Sequence, residues 1–281
     1  MSIVFDNRRC ALGEGPLWHP ERKQLFWFDI LGKRLLSKRG DDQQEWRFKE
    51  HVSAAGWIDK DTLLMASETG LYRFDLGSGA RSLLAPIEAD NPLTRSNDGR
   101  ADPFGGFWIG TMGRGAEAGA GAIYRYFQGK VTRLYQNLTI PNAICFSPDS
   151  KFAFFTDTVT GQILRQPLDA EGWPEGVAEL FVDLAEEGLN PDGAVVDSSG
   201  TLWNAQWGAA RVAGYGQCGS YQAAHSVGAM QSSCPAFGGP DLKTMFVTSA
   251  AVECSAEDHL AGQTFEVSMD IAGQAEHQVR V

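Results

Sequence analysis

Four short segments carry side chains suited to metal and acid–base chemistry: Glu14 in Leu12-Gly13-Glu14-Gly15-Pro16, Asn97-Asp98-Gly99, Pro141-Asn142-Ala143 and Pro191-Asp192-Gly193. Together, Glu14, Asn142 and Asp192 would offer two carboxylates and an amide oxygen, hard donors suited to Ca²⁺, Mg²⁺ or Mn²⁺. Zn²⁺ would bind there without its usual His or Cys ligands. Three protein ligands leave positions open for water and substrate, where an ion can polarise a carbonyl and lower the pKa of bound water. Taken singly, Asn-Asp-Gly and Pro-Asp-Gly read first as turns. The chemistry therefore depends on a fold that brings the segments together.

Other familiar devices are missing. The sequence has no His-Glu-x-x-His, Gly-x-Ser-x-Gly or phosphate-loop motif, and the glycines of 113–121 have the wrong spacing for a dinucleotide fingerprint. That stretch reads as a flexible loop. His19, His51, His225, His259 and His277 are far apart with no helix-face spacing, and His19 before Pro20 reads as part of a hairpin turn. Cys10, Cys145, Cys218, Cys234 and Cys254 form an odd, scattered set without a C-x-x-C pair, which reads as reduced and mostly buried thiols.

The elements that would position the polar segments appear as a repeat. Six apolar runs, Leu25–Phe28, Leu63–Ala66, Phe107–Gly110, Phe152–Phe155, Leu202–Ala205 and Met245–Thr248, each read as a strand. Measured between Trp27, Met65, Trp108, Phe155, Trp203 and Phe246, their spacing is 38, 43, 47, 48 and 43 residues, which suits about four short strands per unit. A turn signal generally precedes each run, among them Asp59-Lys60-Asp61, Ser147-Pro148-Asp149-Ser150 and Asp197-Ser198-Ser199-Gly200. Another apolar segment lies before the turn, as in Gly15–Trp18, Ala55–Ile58, Ala143–Phe146 and Gly193–Val196.

Six all-β units of this period predict a six-bladed β-propeller, because a four-stranded blade buries its faces only against neighbours in a closed ring. A large β-sandwich is the alternative, with turns at shorter spacing and no higher period. With no linker in sight, the propeller is expected to occupy 1–281 as a single domain. The first strand of each blade lines the central channel, so the polar segments would converge at one mouth. Asp183–Glu187 is expected to form a short surface turn of helix.

Composition excludes several partners. A formal net charge of −11, with no basic run of five or more, argues against nucleic acid and anionic membranes, both of which reward clustered Lys and Arg. No apolar window of about 18 residues occurs and the first residues carry no secretory pattern. A cytoplasmic location is the expectation.

These segments also resemble the senescence marker protein/gluconolactonase family, which includes regucalcin and sugar lactonases. The likeness spans nearly the whole chain and rests on Leu12–Trp18, Arg95–Pro103 followed by Phe107–Gly113, Gly121–Arg125, Ile140–Asp149, Asn190–Gly193 and Cys234–Leu242. It implies a six-bladed propeller with one divalent cation, Ca²⁺ foremost and Zn²⁺, Mn²⁺ or Mg²⁺ as alternatives, held by Glu14, Asn142 and Asp192. It further implies that Arg95 and Asn97 contact a sugar lactone and that Asp192 doubles as general base for its hydrolysis. The implied substrate is a pentose or hexose aldonolactone, and the expected assembly is a monomer or weak homo-oligomer. Other functions implied are hydrolysis of another ester or an organophosphate at the same site, or calcium-dependent regulation without catalysis.

Two departures from the family pattern stand out. Gly113-Arg114-Gly115 lies where some members carry an acidic substrate contact, which leaves Glu117 as the nearest acid. The glycine-rich stretch Val212–Tyr221 is expected to be locally loose.

Overall fold

A computed structural model of the chain describes residues 2–255 and 257–281. Its twenty-four strands, numbered in chain order, form six four-stranded antiparallel sheets. The innermost strands are β2 (Gly13–His19), β6 (Val52–Asp59), β10 (Thr94–Ala101), β14 (Pro141–Phe146), β18 (Asn190–Val196) and β22 (Ser232–Gly238). Each contacts the innermost strand of the next blade, and β22 returns to β2, so the ring is closed. The protein is a six-bladed β-propeller.

All six apolar runs of the repeat are second strands: β3 (Gln24–Asp29), β7 (Thr62–Ser67), β11 (Phe107–Gly113), β15 (Phe152–Asp157), β19 (Leu202–Trp207) and β23 (Thr244–Ser249). The reason is packing. A second strand lies between two neighbouring blades and is covered on both faces, so β3 is buried along its whole length. The core is accordingly divided into six apolar clusters, one at each blade interface; Trp108, Ile123, Ile144 and Phe155 fill the one between blades three and four.

The turn signals between first and second strands form the expected hairpin turns. Asp197 Oδ1 accepts the N–H groups of Ser199 and Thr201, at 2.8 and 3.0 Å, and Asp102 Oδ1 does the same for Phe104 and Gly106. The sixth blade is completed by β1 (Ile3–Asp6), which pairs with β24 (Thr264–Ser268) and so ties the N-terminal strand to the last unit.

After β24 the chain crosses the end of the channel opposite Glu14, Asn142 and Asp192. Gln274 Nε2 donates to the carbonyls of Phe146 and Val196, Val279 N–H donates to Trp57, and Glu276 pairs with the buried Arg100. This strap closes the floor of the channel.

One local expectation is corrected. Asp183 ends a strand, and Ala185–Gly188 is a single turn closed by Gly188 N–H donating to Ala185 O, not a helix. Five residues cannot offset the cost of helix nucleation. The stretch 212–221 forms a hairpin between β20 (Arg211–Tyr215) and β21 (Tyr221–Ser226) with a register irregularity between Gly214 and Tyr215, and Gly214 provides the space where the Trp203 indole packs. Among the described residues no helix is long and apolar enough to cross a membrane.

Candidate metal and substrate site

Every innermost strand carries a β-bulge near its start. In blade one Glu14 faces Phe28 and Leu17 faces Phe26, so one extra residue is inserted. The same irregularity falls between Ser96 and Gly99, Asn142 and Cys145, Pro191 and Ala194, and Ser232 and Pro235, with a shorter version between Val52 and Ala54. A bulge breaks the ladder and re-aims side chains. Glu14, Asn97, Asn142 and Asp192 all sit at or within these bulges. Gly15 and Ala143 adopt left-handed φ values of 53° and 58° to make two of them. For Ala143 that conformation costs on the order of 1 kcal/mol, and it is held by Asp98, whose Oδ2 accepts the Ile144 N–H at 2.7 Å.

Hydrogen bonds join three of the blades across the mouth. Arg95 NH1 donates to Asn97 Oδ1 at 2.9 Å and to the Ser96 carbonyl at 2.9 Å. Asn97 Nδ2 donates to Asn142 Oδ1 at 2.8 Å and to the Pro141 carbonyl at 3.1 Å. Asn142 Nδ2 donates to Thr158 Oγ1 at 2.9 Å, and Thr158 donates onward to the Pro191 carbonyl at 2.7 Å. Asn204, on the second strand of blade five, donates to the carbonyls of Asp192 and Gly193 and so clamps the bulge that carries Asp192.

The site gathers carboxyl groups away from water. Glu14 and Asp192 are each 5% exposed, and Asp98 is buried beside them. Burial, followed by the charge of Asp98, pushes Glu14 up to about 8. Burial followed by the charges of Glu14 and Asp98 raises Asp192 well above the usual carboxylate range. Arg95 is brought down to about 10, mainly by burial, while Glu14 and Asp192 favour its charged form. Arg95 is the arginine that favours the charged forms of Glu14 and Asp192, Arg100 does the same for Asp98, and Arg95 spends NH1 on Asn97 and Ser96.

This arrangement fits a divalent cation. Two carboxylates whose charges are penalised by burial and by each other gain from a cation, and Asn142 Oδ1 keeps a second lone pair beyond the one taken by Asn97. Among the described residues no three His, Cys, Asp or Glu side chains gather as a metal-holding group; the third donor expected from the sequence is an amide.

A match to the SMP-30/Gluconolactonase/LRE-like region extends over residues 12–251. The chain belongs to this family. A relative from Rhizobium meliloti is 42% identical over 99% of both chains. The L-arabinolactonase of Azospirillum brasilense is 36% identical over 98% of this chain and 94% of its own. The crystal structure of a calcium-binding protein, regucalcin, from Agrobacterium tumefaciens superposes with a TM-score of 0.97 at 39% identity, covering 99% of this chain and 97% of that one.

In this SMP-30/gluconolactonase-type propeller, Arg95, Asn97 and Asn142 form one hydrogen-bonded run, and Glu14 and Asp192 share its electrostatic environment. Glu117 is not drawn into that run: it is exposed, and its Oε2 accepts Gly115 N–H at 3.1 Å within its own loop. Arg114 lies at the rim, paired with Glu68 of blade two at 2.9 Å. Sequence reasoning missed Thr158 and Asn204 and treated Asp98 only as part of a motif. The recurrence of a polar residue at each bulge was a usable signal for Asp98. Nothing local marks Thr158 or Asn204, whose roles come from contacts with other strands.

Proposed function

We propose that the chain is a divalent-cation-dependent hydrolase that opens a pentose or hexose aldonolactone to its aldonic acid. Glu14, Asn142 and Asp192 would hold the cation, Ca²⁺ foremost. The observation that carries this reading is the pair of buried, electrostatically coupled carboxylates, Glu14 and Asp192, for which Arg95 is the arginine that favours the charged forms. The L-arabinolactonase name of one relative supports the substrate class, and the calcium-binding description of the Agrobacterium protein supports the ion.

When bound, the cation would polarise the lactone carbonyl and acidify water. Asp192 takes a proton from the attacking water at a carboxylate oxygen. Water oxygen bonds to the carbonyl carbon, the ring C–O bond breaks, and Asp192 passes the proton it took to the departing ring oxygen, which becomes a hydroxyl. The new carboxylic acid ionises and releases one proton to solvent. Arg95 and Asn97 hydrogen-bond the sugar, Arg95 through the guanidinium nitrogens not spent on Asn97 and Ser96.

The test is acid release from a panel of sugar lactones by chelator-stripped protein, alone and reloaded with each divalent ion. Activity should require the ion, and far-UV circular dichroism should not, because six blade interfaces stabilise the ring without it. Full turnover by protein that elemental analysis finds free of metal would overturn the cation's role. Tight Ca²⁺ binding with no lactone hydrolysed would favour the second reading, a calcium-responsive protein without catalysis.

A further inference from the structure

We infer that Thr158 is a positioning residue for the cation site, the far anchor of a one-way hydrogen-bond relay that begins at Arg95 and fixes which end of the Asn142 amide is offered to the ion. The inference rests on the cation reading proposed above. It concerns residues outside the three proposed ligands, and it follows from the chemistry of the two ends of the chain of bonds.

A guanidinium has donors only. Arg95 NH1 can therefore meet only the oxygen of Asn97, which turns Asn97 Nδ2 toward Asn142 and the Pro141 carbonyl. Asn97 Nδ2 spends both hydrogens there, so Asn142 must present Oδ1 to it. Asn142 Nδ2 then points to Thr158 Oγ1, and the Thr158 hydroxyl hydrogen goes to the Pro191 carbonyl. A carbonyl only accepts. With a donor-only group at one end and an acceptor-only group at the other, the relay has a single polarity.

The consequence for the ion is direct. In this polarity Asn142 keeps an Oδ1 lone pair uncommitted; in the reverse one it would offer N–H hydrogens to a cation. Thr158 is placed to do this because of the turn it begins. Asp157 accepts the Thr139 and Ile140 N–H groups, each at 2.8 Å, and Thr158 N–H donates to the Ile140 carbonyl at 3.0 Å. The end of β15 thus grips the start of β14 and sets Thr158 against Asn142. Its second bond lands on Pro191, the residue before Asp192, so one hydroxyl links the backbone at one proposed ligand to the side chain of another.

Calcium affinity of chelator-stripped protein, measured by isothermal titration, tests the inference with five chains: the wild type, Thr158→Val, Thr158→Ser, Asn142→Asp, and Thr158→Val in the Asn142→Asp background. Residues that orient a metal ligand typically affect affinity by about 10–100-fold. Thr158→Val, near-isosteric but unable to accept or donate, should weaken Ca²⁺ binding by about that factor, and Thr158→Ser should stay within about threefold of wild type. A carboxylate at 142 has no amide to orient, so in that background Thr158→Val should cost much less. Wild-type affinity in Thr158→Val, equal losses in the Val and Ser variants, or the same loss in both backgrounds would each overturn the relay while leaving the cation reading intact. No binding of Ca²⁺, Mg²⁺, Mn²⁺ or Zn²⁺ by the wild type would overturn both; if another of these ions binds in place of Ca²⁺, the same cycle is run with it. Melting temperatures without Ca²⁺ accompany each titration; should Thr158→Val not fold, Thr158→Ala takes its place in the same cycle.

Discussion

Glu14→Gln should make the chelator-treated protein more stable, and the gain should grow with pH. In the folded chain Glu14 titrates near 8, against an ordinary value of 4.5. Between those values the native state holds a proton that the unfolded state has released, so stability falls as pH rises. The penalty is absent below about pH 4, where both states are protonated, and fully developed above about pH 8. At about 1.4 kcal/mol per pH unit, it amounts to roughly 1 kcal/mol at pH 5 and about 3 kcal/mol at pH 7. Glutamine keeps the shape and an oxygen for the Gly15 N–H but cannot ionise, which removes the penalty. It also relieves Asp192, whose carboxylate Glu14 disfavours, and that adds in the same direction. Urea denaturation of both chains in chelator at pH 5, 6, 7 and 8 measures the effect. Adding Ca²⁺ should narrow or reverse the ranking, since a ligand bound only by the native state stabilises in proportion to its affinity and the variant has lost a charged donor. A stability difference that is the same at pH 5 and pH 8 would refute the electrostatic account of the site, and a less stable variant at pH 7 would refute its sign.

Asp192→Asn should retain an oxygen donor while losing proton acceptance, so kcat on the best lactone should fall by about 10²–10⁴-fold. Metal content measured in parallel separates loss of the base from loss of the ion, and near-normal kcat with metal retained would place the base elsewhere. Arg95→Lys keeps a donor-only cation at the head of the relay but loses the planar fork, so KM should rise while Ca²⁺ affinity changes by less than about threefold. Unchanged kinetics would remove Arg95 from substrate binding, and lost metal would mean that relay geometry needs the guanidinium itself.

The legibility of this propeller follows from where its strands are buried. Second strands are covered on both faces, so Leu25–Phe28 and Phe152–Phe155 stand out as apolar runs, and their period gives the blade count. Outer strands such as β5 (Asp42–Arg47) and β21 are largely exposed and read as polar loops. The pairing of β1 with β24 joins segments from opposite ends of the sequence and leaves no periodic signature. Glu14, Asn142 and Asp192 were visible because several repeats carry a polar residue at or just before the first strand. Thr158 lay hidden in Thr156-Asp157-Thr158-Val159-Thr160, a composition that any turn would have.

The bulge is the step that connects fold to chemistry. A regular ladder alternates side chains between two faces, and in a propeller both faces of a blade are occupied by its neighbours. A carboxylate kept in register there would be buried among apolar residues such as Ile144 and Val195. One inserted residue takes Glu14 and Asp192 out of that alternation and leaves the strands around them packed. The local cost is borne by Asp98, Asn204 and Thr158, which bind the backbone groups that the broken ladder no longer pairs. Polar residues that look redundant in the sequence are thus what allows two unfavourably buried carboxylates to share one mouth.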